Sequence, residues 1–333
     1  MICRICQGRF EEESMTGLGK LYCRSCYAKR REFIEMRKQK LQLLQALPLE
    51  DKILMSKRLV DEAVSEYGLE RVYISYSGGK DSTVLSHLIR QKYPDILHIF
   101  SNTTCEYPET MQHVKWEKEH NGMNVHVTKP MDKDGRPWHF KRVVEEHGFP
   151  LFSKRISNGI RTYRRAKSAR TKQNALDYIR RNFPKYEPYK EHNISDICCE
   201  KLKVVPLKQA ARRFKMKCAI IGTLAEESYQ RELDWIKFGC NVFEMKKDSQ
   251  CRPLSFWTEQ DILDYIEVFN VKISGLYQIG YRRNGCMFCG FGILQDIEDG
   301  LNRFQRLQLT HPKPYSYLVR HFGDLLEECD IAF

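Results

Sequence analysis

Residues 77–82 read Ser-Gly-Gly-Lys-Asp-Ser, and these residue types in this order can hold a phosphate. Two adjacent glycines let the backbone approach an anion with its N–H groups turned inward. A helix starting directly after them adds its dipole and its unpaired donors. Lys80 supplies a positive charge, and Ser77 and Ser82 supply hydroxyls. Ser77, Gly78, Gly79, Lys80, Asp81 and Ser82 are therefore the expected phosphate-binding residues. The spacing differs from G-x-x-x-x-G-K-[ST], so this is not the Walker phosphate loop. A plain Gly-Gly turn, the alternative, needs neither the lysine nor the serines.

The thirteen cysteines are the second source of chemistry. Cys3-x-x-Cys6 and Cys23-x-x-Cys26 stand sixteen residues apart, a spacing at which two knuckles close on one tetrahedral metal. So short a segment has little core of its own, so Zn2+ is expected at Cys3, Cys6, Cys23 and Cys26. A rubredoxin-like iron site with the same ligands is the alternative. Cys198-Cys199 and Cys286-x-x-Cys289 form a second set with 86 residues between the pairs. Adjacent thiolates chelate one zinc awkwardly but can reach different irons of a cubane [4Fe-4S] cluster, whose ligation four cysteines complete. Zinc, or two unrelated buried pairs, are the other readings. An odd cysteine count with tight pairing argues for metal or redox chemistry in a reducing compartment.

The formal net charge is +12, and between residues 153 and 190 twelve Lys/Arg face two acids. Within that stretch Arg161, Arg164, Arg165, Lys167, Arg170 and Lys172 can contact phosphates, and Tyr163 can stack on an unpaired base. Nucleic acid, tRNA or DNA, is the expected partner; a solvated helix face with its aromatics in the core is the alternative. No run approaches the ~18 apolar residues of a membrane span, and the start MICRICQG does not read as a signal peptide. A cytoplasmic protein with no membrane partner is the expectation.

Elements must hold these residues in place. A buried strand at 73–76 delivers the chain to the phosphate loop, and an apolar helical pattern follows it to about residue 93. A strand at 96–101, a helix at 108–120, a strand at 125–127 and a buried strand at 219–222 continue the alternation. That order predicts an α/β fold, a doubly wound parallel sheet whose ligands bind at the carboxyl ends of the strands. Upstream, residues 28–47 and 49–67 read as helices stopped near Pro48 and Gly68. The C-terminal part reads as helical.

The loop resembles the SGGxDS pyrophosphate loop of the PP-loop ATP pyrophosphatases (the adenine nucleotide alpha hydrolase-like superfamily), which cleave ATP between its α and β phosphates. Residues 101–110 resemble a segment of the phosphoadenosine phosphosulfate (PAPS) reductase family within that group. Asn102, Thr103, Glu109 and Thr110 match in kind, with Asn102 where an acid is more usual and Thr104 where a glycine often stands. Gly222, Glu227, Ser228 and Arg231 match a further stretch, with Leu224 where arginine is common. The resemblance implies ATP as the ligand of Ser77, Gly78, Gly79, Lys80, Asp81 and Ser82 and adds Asn102, Thr103, Gly222, Glu227 and Arg231 to that set. It makes Lys80, stabilising the departing pyrophosphate, and Asp81, holding Mg2+, the leading catalytic candidates. Pro253, Leu254, Trp257, Asp261 and Ile262 match a block read as structural. The CC…CxxC pattern resembles the [4Fe-4S] site of adenylyl-sulfate reductases and their phosphorothioation relatives. Glu328-Cys329 resembles the mobile catalytic tail of the sulfonucleotide reductases, although residues 330–333 do not follow that family's ending. Packing of Cys329 in the last helix is the alternative.

The resemblance covers about residues 70–292 and implies four parts. These are a four-cysteine zinc module at 1–27, a helical connector at 28–68, a PP-loop domain at 69–292 with a basic insertion at 153–190, and a helical tail at 293–333. The function it implies is cleavage of ATP to AMP and pyrophosphate, adenylation of a tRNA or DNA target, and sulfur transfer aided by the cluster, with a sulfur donor such as a cysteine desulfurase. The competing readings are a PAPS or adenylyl-sulfate reductase forming sulfite, and a non-catalytic nucleic-acid-binding regulator.

Overall fold

The structure is a computed structural model and describes residues 1–9, 11–16, 21–243 and 249–333. These residues form two compact units, Met1–Gly68 with Cys218–Val271 and Leu69–Lys217 with Lys272–Phe333. The chain opens in the first unit with an antiparallel pairing of Met15–Thr16 and Tyr22–Cys23, then runs into helices α1 (Arg24–Gln45) and α2 (Leu49–Tyr67). It passes through the second unit as β1 (Val72–Tyr76), α3 (Lys80–Arg90), β2 (Leu97–Ser101), α4 (Pro108–His120), β3 (Val125–Thr128), α5 (Phe140–His147), α6 (Lys154–Arg165), α7 (Ala169–Asn182) and α8 (Val205–Arg213). It returns to the first unit for β4 (Cys218–Ile221), α9 (Tyr229–Phe238), β5 (Asn241–Val242), β6 (Ser249–Cys251) and α10 (Glu259–Val268). Helices α11 (Arg303–Thr310) and α12 (Pro312–Glu328) close the second unit.

The pairing is mainly parallel, as expected of an α/β fold. In the second unit β1 lies parallel to β2, Tyr73 opposite Leu97, and β2 lies parallel to β3, His98 opposite Val125. In the first unit β4 lies parallel to β6, and β5 runs antiparallel to β6. Val72, Ile74 and Tyr76 are all buried, as are Ile99 and Phe100, which is why these strands read as near-continuous apolar runs.

The packing redraws the boundaries expected from sequence. Helix α1 begins at Arg24, earlier than the predicted residue 28, so Cys26 sits on its first turn. A Cys-x-x-Cys pair at positions i and i+3 lies on one helical face, so ligand spacing does not keep a helix out. Residues 28–68 are more than a connector, because they pack within the first unit. Arg37 donates to the carbonyls of Ile236 and Trp235 at 3.0 and 3.1 Å, with its guanidinium 4.6 Å from the Trp235 ring centre. Lys52, fully buried, donates to Asp261 at 2.6 Å and to the Gln45 carbonyl at 2.7 Å, tying α2 to the start of α10. Trp257 is buried and donates to Ser56 at 2.9 Å, in line with its structural reading.

The basic insertion and the C-terminal helices share one core in the second unit. Ile160, Tyr163 and Ile179 belong to the same buried cluster as Phe140, Phe149, Phe304, Leu318, Phe322 and Leu326. No helix among the described residues is long and apolar enough to cross a membrane.

Candidate active site

The glycine loop expected to hold phosphate lies between β1 and α3. Gly78 adopts φ +71°, and a Cβ there would lie 2.8 Å from Thr110 Cγ2, so only glycine fits. Ser77 and Ser82 hydroxyls lie 2.9 Å apart, and Ser82 donates to the Gly79 carbonyl at 2.9 Å. The Gly79 N–H donates to Ser77 Oγ at 3.3 Å, and the Lys80 N–H donates to Tyr277 Oη at 2.8 Å. Hydroxyl oxygens thus accept from the loop amides at positions where phosphate oxygens could take over. Lys80 Nζ lies 3.6 Å from the Asp81 carboxylate and 6.0 Å from the Tyr277 ring centre. The glycine cradle, inward amides, lysine and first-turn carboxylate fit a nucleotide polyphosphate with its divalent ion.

Tyr277 and Asn284 are site residues that the sequence reading missed. Asn284 donates to the Ser77 carbonyl at 2.9 Å and accepts from the Thr110 hydroxyl at 2.9 Å. It stands two positions before Cys286, so the segment that carries a thiol of the second set also grips the phosphate loop.

That second set converges in the second unit. Cys198-Cys199 end a single helical turn, Ile197–Cys199, and the chain widens into a π-helical segment, Glu200–Val204, before α8. Pro206 has no N–H for the Leu202 carbonyl, and the wider turn accommodates that loss. Cys286 lies opposite Glu106 in an isolated bridge, and its Sγ is 3.3 Å from the Thr103 hydroxyl. Burial pushes the Cys286 thiol up to about 12 and also raises Cys289, where Arg303 opposes the rise. The Cys198 thiol pulls Cys199 down to about 6, assisted by Lys154 and Lys203. Lys154, Lys203 and Arg303 therefore balance a site that becomes strongly negative once its thiols ionise.

The two thiol sets differ in size. Cys3, Cys6, Cys23 and Cys26 are the ligand group whose donor atoms all lie within 4.8 Å of one another among the described residues. Cys6 and Cys23 sulfurs are 4.0 Å apart, close to the ~3.8 Å edge of a tetrahedron with Zn–S bonds of about 2.3 Å. This set fits one tetrahedral ion. Its first knuckle is closed by Cys3 N–H to Gly8 carbonyl at 2.9 Å and by Gln7 at φ 58°. Residues 10 and 17–20 of this module lie outside the described residues. Cys198, Cys199, Cys286 and Cys289 are not among the described groups whose donor atoms lie within 4.8 Å of one another.

The remaining expected residues are placed as follows. Thr103 is buried, its N–H and hydroxyl both held by the Glu106 carboxylate at 2.9 and 2.7 Å, and Asn102 Oδ1 accepts from the Thr104 N–H at 2.8 Å. Gly222, Glu227 and Arg231 lie in the first unit, just beyond the carboxyl end of β4. Glu227 pairs with Arg231 and accepts from the Leu224 N–H at 3.1 Å. Arg231 lines a cavity of about 210 Å3 together with Thr223 and Arg252. Leu224, at the position where arginine is common, is buried.

Two expectations are corrected. Tyr163 is 7 % exposed and donates to Glu191 at 2.8 Å, so its ring belongs to the core and cannot stack on a base. Its neighbours are partly committed too: Arg161 bonds Asp196 at 2.7 Å and Arg164 bonds Asn193 at 2.8 Å. Arg165, Lys167, Arg170 and Lys172 remain on exposed positions. Cys329 is 1 % exposed, and burial pushes its thiol up to about 12, with the Glu328 and Asp330 charges adding to the rise. A neutral thiol in the core is no nucleophile. Tyr189 donates to Asp330 at 2.7 Å and Asn302 to the Ala332 carbonyl at 2.6 Å, so the terminal segment is docked.

A parallel α/β architecture with a glycine-rich phosphate loop and a convergent thiol set defines a PP-loop class of protein. Residues 71–177 and 150–290 match the phosphoadenosine phosphosulfate reductase domain, and the chain belongs to that family. It is 25% identical over 215 residues to an uncharacterised protein of Methanocaldococcus jannaschii, covering 65% of this chain and 40% of that protein. The chain thus spans well under half the length of that relative. It is also 25% identical over 259 residues to an adenosine 5'-phosphosulfate reductase of Oceanobacillus iheyensis, covering 77% of this chain and 85% of the relative. Among solved structures, it resembles the phosphoadenylyl-sulfate reductase of Candida auris at a TM-score of 0.44 and 15% identity, over 76% of this chain and 94% of that one. It also resembles the U34-tRNA thiolase of Methanococcus maripaludis with its [4Fe-4S] cluster at a TM-score of 0.37 and 18% identity, over 100% and 92% of the two chains.

Proposed function

We propose that this protein is an ATP-dependent, adenylating sulfurtransferase acting on nucleic acid. The observation that carries the reading is Asn284, which joins the phosphate loop at Ser77 to the segment bearing Cys286. Nucleotide activation and sulfur chemistry then share one piece of structure. In the reaction, an oxygen of the target attacks the α-phosphorus of ATP and pyrophosphate leaves. Lys80 and the loop amides stabilise charge on that leaving group, and Asp81 holds Mg2+. A hydrosulfide sulfur then displaces AMP, which departs with the oxygen. A cluster held by Cys198, Cys199, Cys286 and Cys289 would supply binding or delivery of that sulfur. Zinc at the N-terminal set holds its module folded. The exposed cations of residues 165–172 supply phosphate contacts.

A reductase of adenylyl sulfate is the second reading, favoured by the likeness to the Oceanobacillus iheyensis protein. Against it, Cys329 is buried, and a reductase has no pyrophosphate to expel through an intact Ser-Gly-Gly-Lys-Asp-Ser loop. Anaerobic incubation with ATP and tRNA or DNA separates the two. AMP and pyrophosphate are expected; sulfite released from adenylyl sulfate with a thiol, and no pyrophosphate from ATP, would establish the reductase instead.

A further inference from the structure

Beside the second thiol set lies a cavity of about 470 Å3. Phe140, Met287, Phe288 and Tyr317 wall it, and Lys141 and Lys313 line it as well. Met287 and Phe288 are the two residues between Cys286 and Cys289, and the Met287 N–H donates to the Cys105 carbonyl at 2.8 Å. Phe288 lies 5.5 Å from Phe140 and 5.5 Å from Tyr317, ring centre to ring centre. Thr104 lines the same cavity at φ 67°, in the left-handed region that a β-branched residue avoids. Backbone strain of this kind persists where the surroundings fix it and concentrates at binding sites.

We propose that this cavity receives one unstacked base of a single-stranded nucleic acid, with Lys141 and Lys313 on the flanking phosphates. The inference rests on the adenylating, sulfur-transferring reading above. Three observations converge on it. The half-buried Tyr317 ring can stack on the π-face of a base, Phe140, Met287 and Phe288 belong to the core and form the apolar wall around it, and lysines match its phosphodiester. Lys313 is exposed, and the Lys141 side chain is 38% exposed in a surface pair with Glu145, a contact too weak to withhold it from a phosphate. Position is the second. Thr104 follows Thr103, whose hydroxyl touches Cys286, so the base would sit against both the nucleotide side and the sulfur side of the site. Continuity is the third: α5 carries Phe140 and Lys141, and its Glu146 carbonyl accepts from Arg165 of the basic segment at 2.6 Å. The strand leaving the cavity would meet the exposed cations of residues 165–172.

The test measures binding of a fluorescein-labelled twelve-nucleotide single-stranded RNA to the full metal-loaded chain by anisotropy, with pyrophosphate release from ATP followed separately. Tyr317→Leu should weaken binding roughly tenfold, and Tyr317→Phe should bind as the parent does. The double variant Lys141→Ala, Lys313→Ala, on surface positions that do not threaten folding, should lower the slope of log K against log salt by about 1 to 2. An RNA duplex of the same sequence should compete at least tenfold less well. Parent-like binding by both Tyr317→Leu and the lysine variant, with pyrophosphate still released, overturns the base pocket and leaves the proposed function standing. Equal weakening by Tyr317→Phe, equal competition by the duplex, or tighter binding of a polyglutamate peptide also overturns it. Absence of pyrophosphate release together with the expected losses of RNA binding removes the function and keeps the pocket.

Discussion

Lys80 carries the heaviest chemical assignment of any single residue. Lys80→Ala is expected to abolish pyrophosphate release from ATP while leaving the brown chromophore of the cysteine-bound iron intact. Absorbance and pyrophosphate assays on the same preparation check both halves, and loss of the chromophore would mean that the lysine serves the fold. Lys80 was legible because its whole setting, Ser77 through Ser82, is contiguous. Asn284 was not. It reaches the loop from 207 positions away, and its role depends on a hydrogen bond that no spacing rule announces. Tyr277 escaped for the same reason, its hydroxyl meeting the Lys80 amide across 197 positions. Tyr163 misled because an aromatic residue among cations looks the same in sequence whether its ring faces water or the core.

At the scale of elements, the buried Lys52 and Asp261 pair makes a measurable demand. Lys52→Met removes the partner of a carboxylate that would then keep only its capping bonds to Thr258 at 2.6 and 2.8 Å. The expected loss is roughly 3 kcal/mol of stability in urea denaturation, because the remaining buried charge is left uncompensated. His98 on β2 sets a pH dependence. Its Nδ1 donates to the Ile96 and Asn124 carbonyls at 2.9 and 3.2 Å, leaving Nε2 to accept from Ser86 at 2.8 Å, a neutral tautomer. Burial, with Arg90 nearby, lowers it from 6.5 to about 4. The unfolded chain therefore binds the proton first as pH falls, so stability is full above pH 6.5 and drains away between 6.5 and about 4. The loss should reach roughly 3 kcal/mol across that window, and His98→Gln should flatten the corresponding part of the stability curve. Helix α4 and α2 were legible to the residue because Pro108, Pro48 and Gly68 punctuate them. The start of α1 was not, since a metal-ligand pair masks the helical turn it occupies.

For the whole molecule, the metal count is the sharpest expectation: about one zinc and four irons per chain by elemental analysis of anaerobically purified protein. Two zincs and no iron would remove the cluster assignment. The α/β class and the parallel strands were legible, because strand and helix periods alternate cleanly from residue 72 to 128. The division into units was not, because it depends on which distant segments share a core. The first unit is assembled from Met1–Gly68 and Cys218–Val271, with 149 residues of other structure encoded between them (217 − 69 + 1). During synthesis at about 5–20 residues per second, α2 waits on the order of 10–40 s before Asp261 exists to meet Lys52. Through that interval the apolar face formed by Val60 and Ala63 has no native partner, so a nascent chain halted before residue 218 should be a client of holding chaperones, and in a fragment ending at Gly68 helix α2 should lack its packing.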